Sequence, residues 1–122
     1  MYEISVDRKL RLVRVRIVGA LSPDMAAAYE RNLKLEIVNL CKIRPGFSLL
    51  IDLREASVAS KDSVENLQNR KRWLIDHGLR KSAYIVKGMI HQMQIRRLAI
   101  DDRFNNFVSE EDAMAWLAVD SA

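Results

Sequence analysis

The side chains able to act as nucleophiles, acid–base groups or metal ligands are few and scattered. There are two histidines, His77 and His91, and one cysteine, Cys41. Asp76 stands directly beside His77, but consecutive helical residues point about 100° apart, so the two do not share a site. Neither histidine otherwise has a cysteine or carboxylate at metal-ligand spacing. His77 falls near an expected helix C-terminus, where a partial positive charge is favourable, and His91 reads as a surface residue. Cys41 lies on an apolar helical stripe and reads as a packed thiol rather than a nucleophile. Gly19, Gly46, Gly78 and Gly88 are dispersed, so there is no glycine-rich phosphate loop. The acidic pairs Asp101-Asp102 and Glu110-Glu111 sit at element ends, as loops and caps require. An enzyme is poorly supported: no catalytic residue, metal or cofactor is expected.

Three other groups of residues invite a binding role. Ser57, Ser60, Asp62 and Ser63 follow a strongly apolar segment and could form a surface or switch loop that meets a partner; the simplest reading of Ser60, Asp62 and Ser63 is helix N-capping. Met89, Ile90, Met93 and Trp116 could line a hydrophobic pocket or form a face for self-association, because methionine is adaptable and tryptophan large. The basic runs Arg70-Lys71-Arg72, Arg80-Lys81 and Arg96-Arg97 could converge into a cationic surface for an anionic partner. However, aromatic residues are only 7% of the chain and no stacking pattern is interleaved with the charges. Solvated faces are therefore expected there, and nucleic acid is not an expected partner.

The composition, 49% hydrophobic and 30% charged, is ordinary for a soluble globular protein. The 122 residues suit one domain, 1–122, large enough to bury a core without metals or disulfides. Lone Cys41 cannot form an internal disulfide, which fits a reducing compartment. The net charge of +4 arises from 20 basic and 16 acidic residues, so an anionic partner is permitted but not demanded. No apolar run approaches the ~20 residues of a membrane span, and residues 1–7 lack a signal-peptide pattern. A cytoplasmic location is expected.

The elements follow from periodicity. Residues 2–6 form a weak strand, residues 7–9 a polar turn, and residues 10–18 a strand that places Val13, Val15 and Ile17 on one face and Arg14 and Arg16 on the other. Ser22 and Pro23 are a helix-start signal. The spacing of Met25, Tyr29, Leu33, Ile37, Leu40 and Cys41 predicts a helix over 25–41. The run Phe47-Ser-Leu-Leu-Ile-Asp-Leu53 reads as a central strand with both faces covered. A second helix starts near Ser60 or Ser63, carries Val64, Leu67, Lys71 and Leu74 on one stripe with the stem of Lys71 along its edge, and ends at Gly78. Residues 81–86 read as a strand, 89–100 as a helix and 104–108 as a short strand. Ser109 then opens a last helix with acids in its first turn. This order predicts an α/β domain with a mostly parallel sheet and one antiparallel hairpin strand.

With Leu50-Ile-Asp-Leu53 before a helix and Glu110-Glu-Asp-Ala-Met-Ala-Trp-Leu117 at the end, the chain resembles the SpoIIAA-like branch of the STAS fold over nearly its whole length. The resemblance implies a mixed sheet of four to five strands with about four helices mainly on one face. It also implies a non-catalytic regulatory module that binds a protein partner or itself, a homodimer included. Anti-sigma-factor antagonists of this group carry an Asp-Ser-Ser-Gly-Leu segment at the start of the second helix, whose serine is phosphorylated. Counted without gaps, Ser60-Lys61-Asp62-Ser63-Val64 stands there and the acceptor place falls on Asp62, which no serine kinase can modify. A shift of one residue brings Ser63 into that place. The alternative function is a carrier or sensor of a small hydrophobic or amphipathic ligand, taken by Met89, Ile90, Met93 and Trp116.

Overall fold

Alternating side chains set the first hairpin. In β1 (Tyr2–Asp7), the half-buried Tyr2, Ile4 and Val6 alternate with exposed Glu3, Ser5 and Asp7. It pairs antiparallel with β2 (Leu12–Gly19), from Tyr2 opposite Ile17 to Asp7 opposite Leu12. The Asp7 carboxylate accepts a hydrogen bond from the Leu10 backbone N–H at 3.0 Å and tightens the intervening turn. The second strand begins later than its alternation suggests. Leu10 is 59% exposed in the turn, and Arg11 adopts a left-handed φ of 54° before pairing starts.

The structure, a computed structural model, describes residues 1–57, 61–87 and 103–119, with the backbone alone for 61–68. After β2 come α1 (Pro23–Cys41), β3 (Phe47–Ala56), α2 (Lys61–Asp76), β4 (Leu79–Ile85), β5 (Phe104–Phe107) and a helix, α3 (Glu110–Ala118). The helix expected over 89–100 lies outside the described residues. The five strands lie in the order β1-β2-β3-β4-β5, and every pairing after the first is parallel. Strands added always to the same edge by right-handed crossovers place the crossover helices on one face. Accordingly α1 and α2 share a core with that face: Tyr29, Leu33, Ile37 and Leu40 of α1 and Leu74 of α2 meet Val13, Val15, Phe47, Leu49 and Ile51. The final helix, α3, lies on the other face, where Ala113 meets Leu12, Leu50, Ala83 and Ile85. The continuous apolar run of β3 follows from cover on both faces.

The helix starts match their sequence signals. Ser22 Oγ accepts from the Met25 N–H at 3.2 Å, with Pro23 next in line. Ser109 Oγ accepts from the Asp112 N–H at 3.2 Å, with Glu110, Glu111 and Asp112 in the first turn of α3. Ser109→Ala is expected to cost about 1 kcal/mol, measured by urea unfolding. At the far end of α3, Lys81 Nζ donates to the carbonyls of Trp116 and Val119 at 2.9 and 2.7 Å and so caps the helix from the sheet.

Candidate functional site

The half of the second sheet face that α3 leaves open is polar because of the same alternation that builds the core. Side chains of β1 and β2 that do not enter the first core, namely Glu3, Ser5, Arg14 and Arg16, point there, and Asp52 from β3 and Glu110 from the start of α3 complete a shallow groove. Arg14 pairs with Glu110. Both Glu55 oxygens accept from Arg16 Nη2 at 3.0 Å. Arg54 grips Asp52 side-on, Nε to Oδ1 at 3.0 Å and Nη2 to Oδ2 at 2.8 Å. This grip holds the Asp52 carboxyl below the usual carboxylate range, against partial burial that pushes it up.

A β-bulge makes the pairing possible. Between Arg16 and Val18 on β2, the register on β3 advances from Asp52 to Glu55, so β3 carries one extra residue. In a regular strand Asp52 and Glu55 would face opposite sides. The bulge resets the phase and lets Glu55 reach Arg16. Nothing in the local sequence signals this, because register is a property of the strand pair.

The groove lies along the route to the carboxyl ends of the parallel strands, where open α/β sheets bind ligands. There the exposed Ser57 donates its N–H to the Gly19 carbonyl at 3.1 Å. Asp62 and Ser63 follow as the second and third residues of α2, in its first turn. Ser60 lies outside the described residues. Ser57 and the first turn of α2 thus succeed the ion-paired end of β3 in the chain.

The other expected site residues are dispersed. Met89, Ile90 and Met93 lie outside the described residues. Trp116 is half-buried, tilted against Phe107 with ring centroids 5.6 Å apart, and has Lys81 Nζ 4.9 Å from its ring. His77 stacks on Trp73 at 3.8 Å and places Nδ1 2.8 Å from the Trp73 carbonyl, while Cys41 Sγ lies 3.9 Å from the His77 carbonyl. Both are tied into the end of α2; His91 lies outside the described residues. Among the described residues, the basic runs do not form one surface. Arg72 is exposed, whereas Lys71, expected along the rim of its stripe, is only 1% exposed. Lys81 is spent on α3, and Arg96-Arg97 lies outside the described residues. Lys71 is therefore a correction: its helix brings the whole side chain, not only its stem, under cover.

No family model matches the chain, and no curated protein does. Among solved structures it is similar to an uncharacterised protein of the DUF3478 family from Shewanella loihica PV-4, described as having a SpoIIAA-like fold. The TM-score is 0.67 at 22% identity, and the match covers 96% of this chain and 94% of that one. The likeness extends over nearly the whole of both chains, so the fold here is SpoIIAA-like. Among the described residues, no helix is long and apolar enough to cross a membrane.

Proposed function

Starting from a SpoIIAA-like fold, we propose that this chain is a non-catalytic cytoplasmic binding module that captures a protein partner with its open polar face. The surface runs from Arg14, Arg16 and Asp52 to Ser57 and the first turn of α2. The observation that carries this reading is the set of ion pairs on the uncovered half of the sheet. Their members are mostly about half exposed, with side-chain accessibilities of 43–57% for the Arg14–Glu110 and Arg16–Glu55 pairs. Such exposed pairs add little to stability, about 0–1 kcal/mol each. They are thus free to exchange their internal partners for those of another protein. The face carries both signs in nearly equal number, which disfavours a polyanion and suits a protein surface of mixed charge.

The position of Asp62 supports constitutive rather than phosphate-switched capture, since its carboxylate already supplies negative charge at the start of α2. Replacing Asp62 and Ser63 together by alanine is expected to weaken capture at least tenfold with a melting temperature within a few degrees of the original. Site-specific photocrosslinking from Ser57, in cells of the source organism, should give a defined adduct that this double variant loses. Crosslinking from Ile43, which is exposed in the loop after α1, should not give it. The same adduct from both positions, or none from Ser57, would remove the reading; an adduct with a second copy of the chain would identify the partner as self.

A further inference from the structure

We propose that the free edge of β1 takes an extended segment of the protein partner as an added strand, and that this segment alternates apolar with basic side chains. The inference rests on the partner-binding reading, because the edge adjoins the open polar face, and it names what the partner presents there. The backbone gives the first argument. β1 lies at one end of the strand order. The Val18 N–H donates to the Met1 carbonyl at 2.8 Å, and residues of an antiparallel pair alternate between bonded and non-bonded positions. In the register from Tyr2 opposite Ile17 to Asp7 opposite Leu12, the amides of Glu3, Ser5 and Asp7 therefore turn towards β2. Those of Tyr2, Ile4 and Val6 turn outward, and among the described residues no backbone group bonds to them.

An open edge is a template for another chain, and folds blunt it with proline, lysine, a bulge or a short strand. The opposite edge of this sheet is blunted. β5 has only 4 residues. The N–H groups of Ser82 and Val86 donate to the carbonyls of Arg103 and Phe107, so the amides of Phe104 and Asn106 turn outward. Both residues are buried, and the Asn106 N–H donates to Asn105 Oδ1 at 2.9 Å. β1 has 6 residues in unbroken register, with no proline, lysine or bulge.

The side chains select the occupant. Main-chain bonds supply affinity in this kind of docking, and alternate side chains supply specificity. Tyr2, Ile4 and Val6 are half-buried at the rim of the first core, so apolar side chains on that face of an added strand extend it. On the other face, Glu3 and Ser5 line the polar groove. Arg14 and Arg16 of β2 are engaged by Glu110 and Glu55. Glu3 is exposed, and among the described residues it enters no ion pair. β1 carries the acids Glu3 and Asp7 and no lysine or arginine. Opposite charges on adjacent strands attract and like charges repel. A basic strand therefore fits this edge, whereas a second copy of β1 brings the same acids to it.

The test uses the full chain and a synthetic peptide, Thr-Lys-Val-Arg-Val-Lys-Val-Thr, blocked at both ends. Control peptides carry glutamate at the basic positions or proline at the valine positions. Calorimetric titration should give a dissociation constant below about 1 mM for the basic peptide, about tenfold tighter than for either control. Amide hydrogen exchange read by NMR should slow on binding at Tyr2, Ile4 and Val6, and change less at Glu3, Ser5 and Asp7, which already bond to β2. Glu3→Lys should weaken binding about tenfold with a melting temperature within a few degrees of the original. No binding of the basic peptide, equal binding of the glutamate control, undiminished binding to Glu3→Lys, or slowing that spares the three outward amides would overturn the inference. Slowing of those amides in the chain alone as its concentration rises would also overturn it, by assigning the edge to a second copy. The two readings fail separately: a partner adduct from Ser57 without peptide binding removes only the added strand, and peptide binding without that adduct removes only the docking surface at Ser57 and α2.

Discussion

Arg11→Ala is expected to lower the unfolding free energy by about 3–4 kcal/mol, the largest effect of any single polar residue considered. Arg11 is 8% exposed. Its guanidinium donates from Nε to the Gly46 carbonyl at 2.8 Å and from Nη2 to the carbonyls of Arg44 and, at 3.4 Å, Leu40. It thereby gathers the end of α1 and the turn into β3, where helix carbonyls have no partner along their own helix. Hydrogen bonds to a charged group contribute roughly 1.5–3 kcal/mol each, and the long contact to Leu40 less. Truncation leaves the half-buried Gly46 carbonyl without this donor, whereas the Leu40 carbonyl keeps the Ile43 N–H at 3.4 Å. The backbone adds a second, smaller effect, since φ is 54° at Arg11. Arg11→Gly loses the same bonds but relieves the left-handed strain, so it should be about 1 kcal/mol more stable than Arg11→Ala. Urea unfolding of both variants with unchanged m-values tests this. A loss under about 1 kcal/mol for Arg11→Ala would mean that water replaces the guanidinium at these carbonyls.

The second large effect is a pH dependence set by Lys71. Burial pulls its ammonium down to a pKa of about 8 from 10.5. Between these values the unfolded chain holds a proton that the folded chain has released, so raising the pH favours the folded state. Stability should therefore rise by about 2 kcal/mol from pH 8 to pH 10. Two buried phenols act the other way. Burial raises the pKa of Tyr29 and of Tyr84 above the ordinary 10.0, so above about pH 10 they ionise first in the unfolded chain and stability falls. The wild type should thus show a maximum near pH 10. Lys71→Met should lose the rise and keep the fall. Urea unfolding at half-unit intervals from pH 7 to pH 11 reads both limbs, and a flat wild-type profile between pH 8 and pH 10 would show that Lys71 is solvated.

Features encoded by neighbours in the chain are legible from the order of residues alone. The alternation of Val13, Val15 and Ile17 marks β2, and the spacing of Tyr29, Leu33, Ile37 and Leu40 marks the buried stripe of α1. Ser22 and Ser109 announce their helices. Features that depend on residues far apart are not legible in this way. Arg11 looks like one more polar turn residue until the end of α1, about 30 residues on, is brought to its guanidinium. Lys71 looks like a rim residue because only the arrangement of β4 and β5 shows that the rim is roofed. Glu55 looks out of phase with Asp52 until the bulge is placed. For the candidate site, Ser57 stands out by its position before a helix, and Asp62 and Ser63 by theirs in its first turn. The polar face beside them does not, because Arg14 and Arg16 carry the pattern of any solvated strand face and only strand order brings Asp52 and Glu110 to them.

The unbroken strand order also bears on how the chain reaches its fold. Each strand pairs with the one made just before it, so no strand waits for a distant segment before it can join. Each parallel pairing still closes a crossover that contains a helix, as from Gly19 to Phe47, but none has to span a further strand, which keeps the closure entropy lower than an interleaved order would. During synthesis, β1 and β2 can pair first, β3 can dock once α1 has emerged, and each later strand finds an edge already in place. The last helix, α3, then seals the second core.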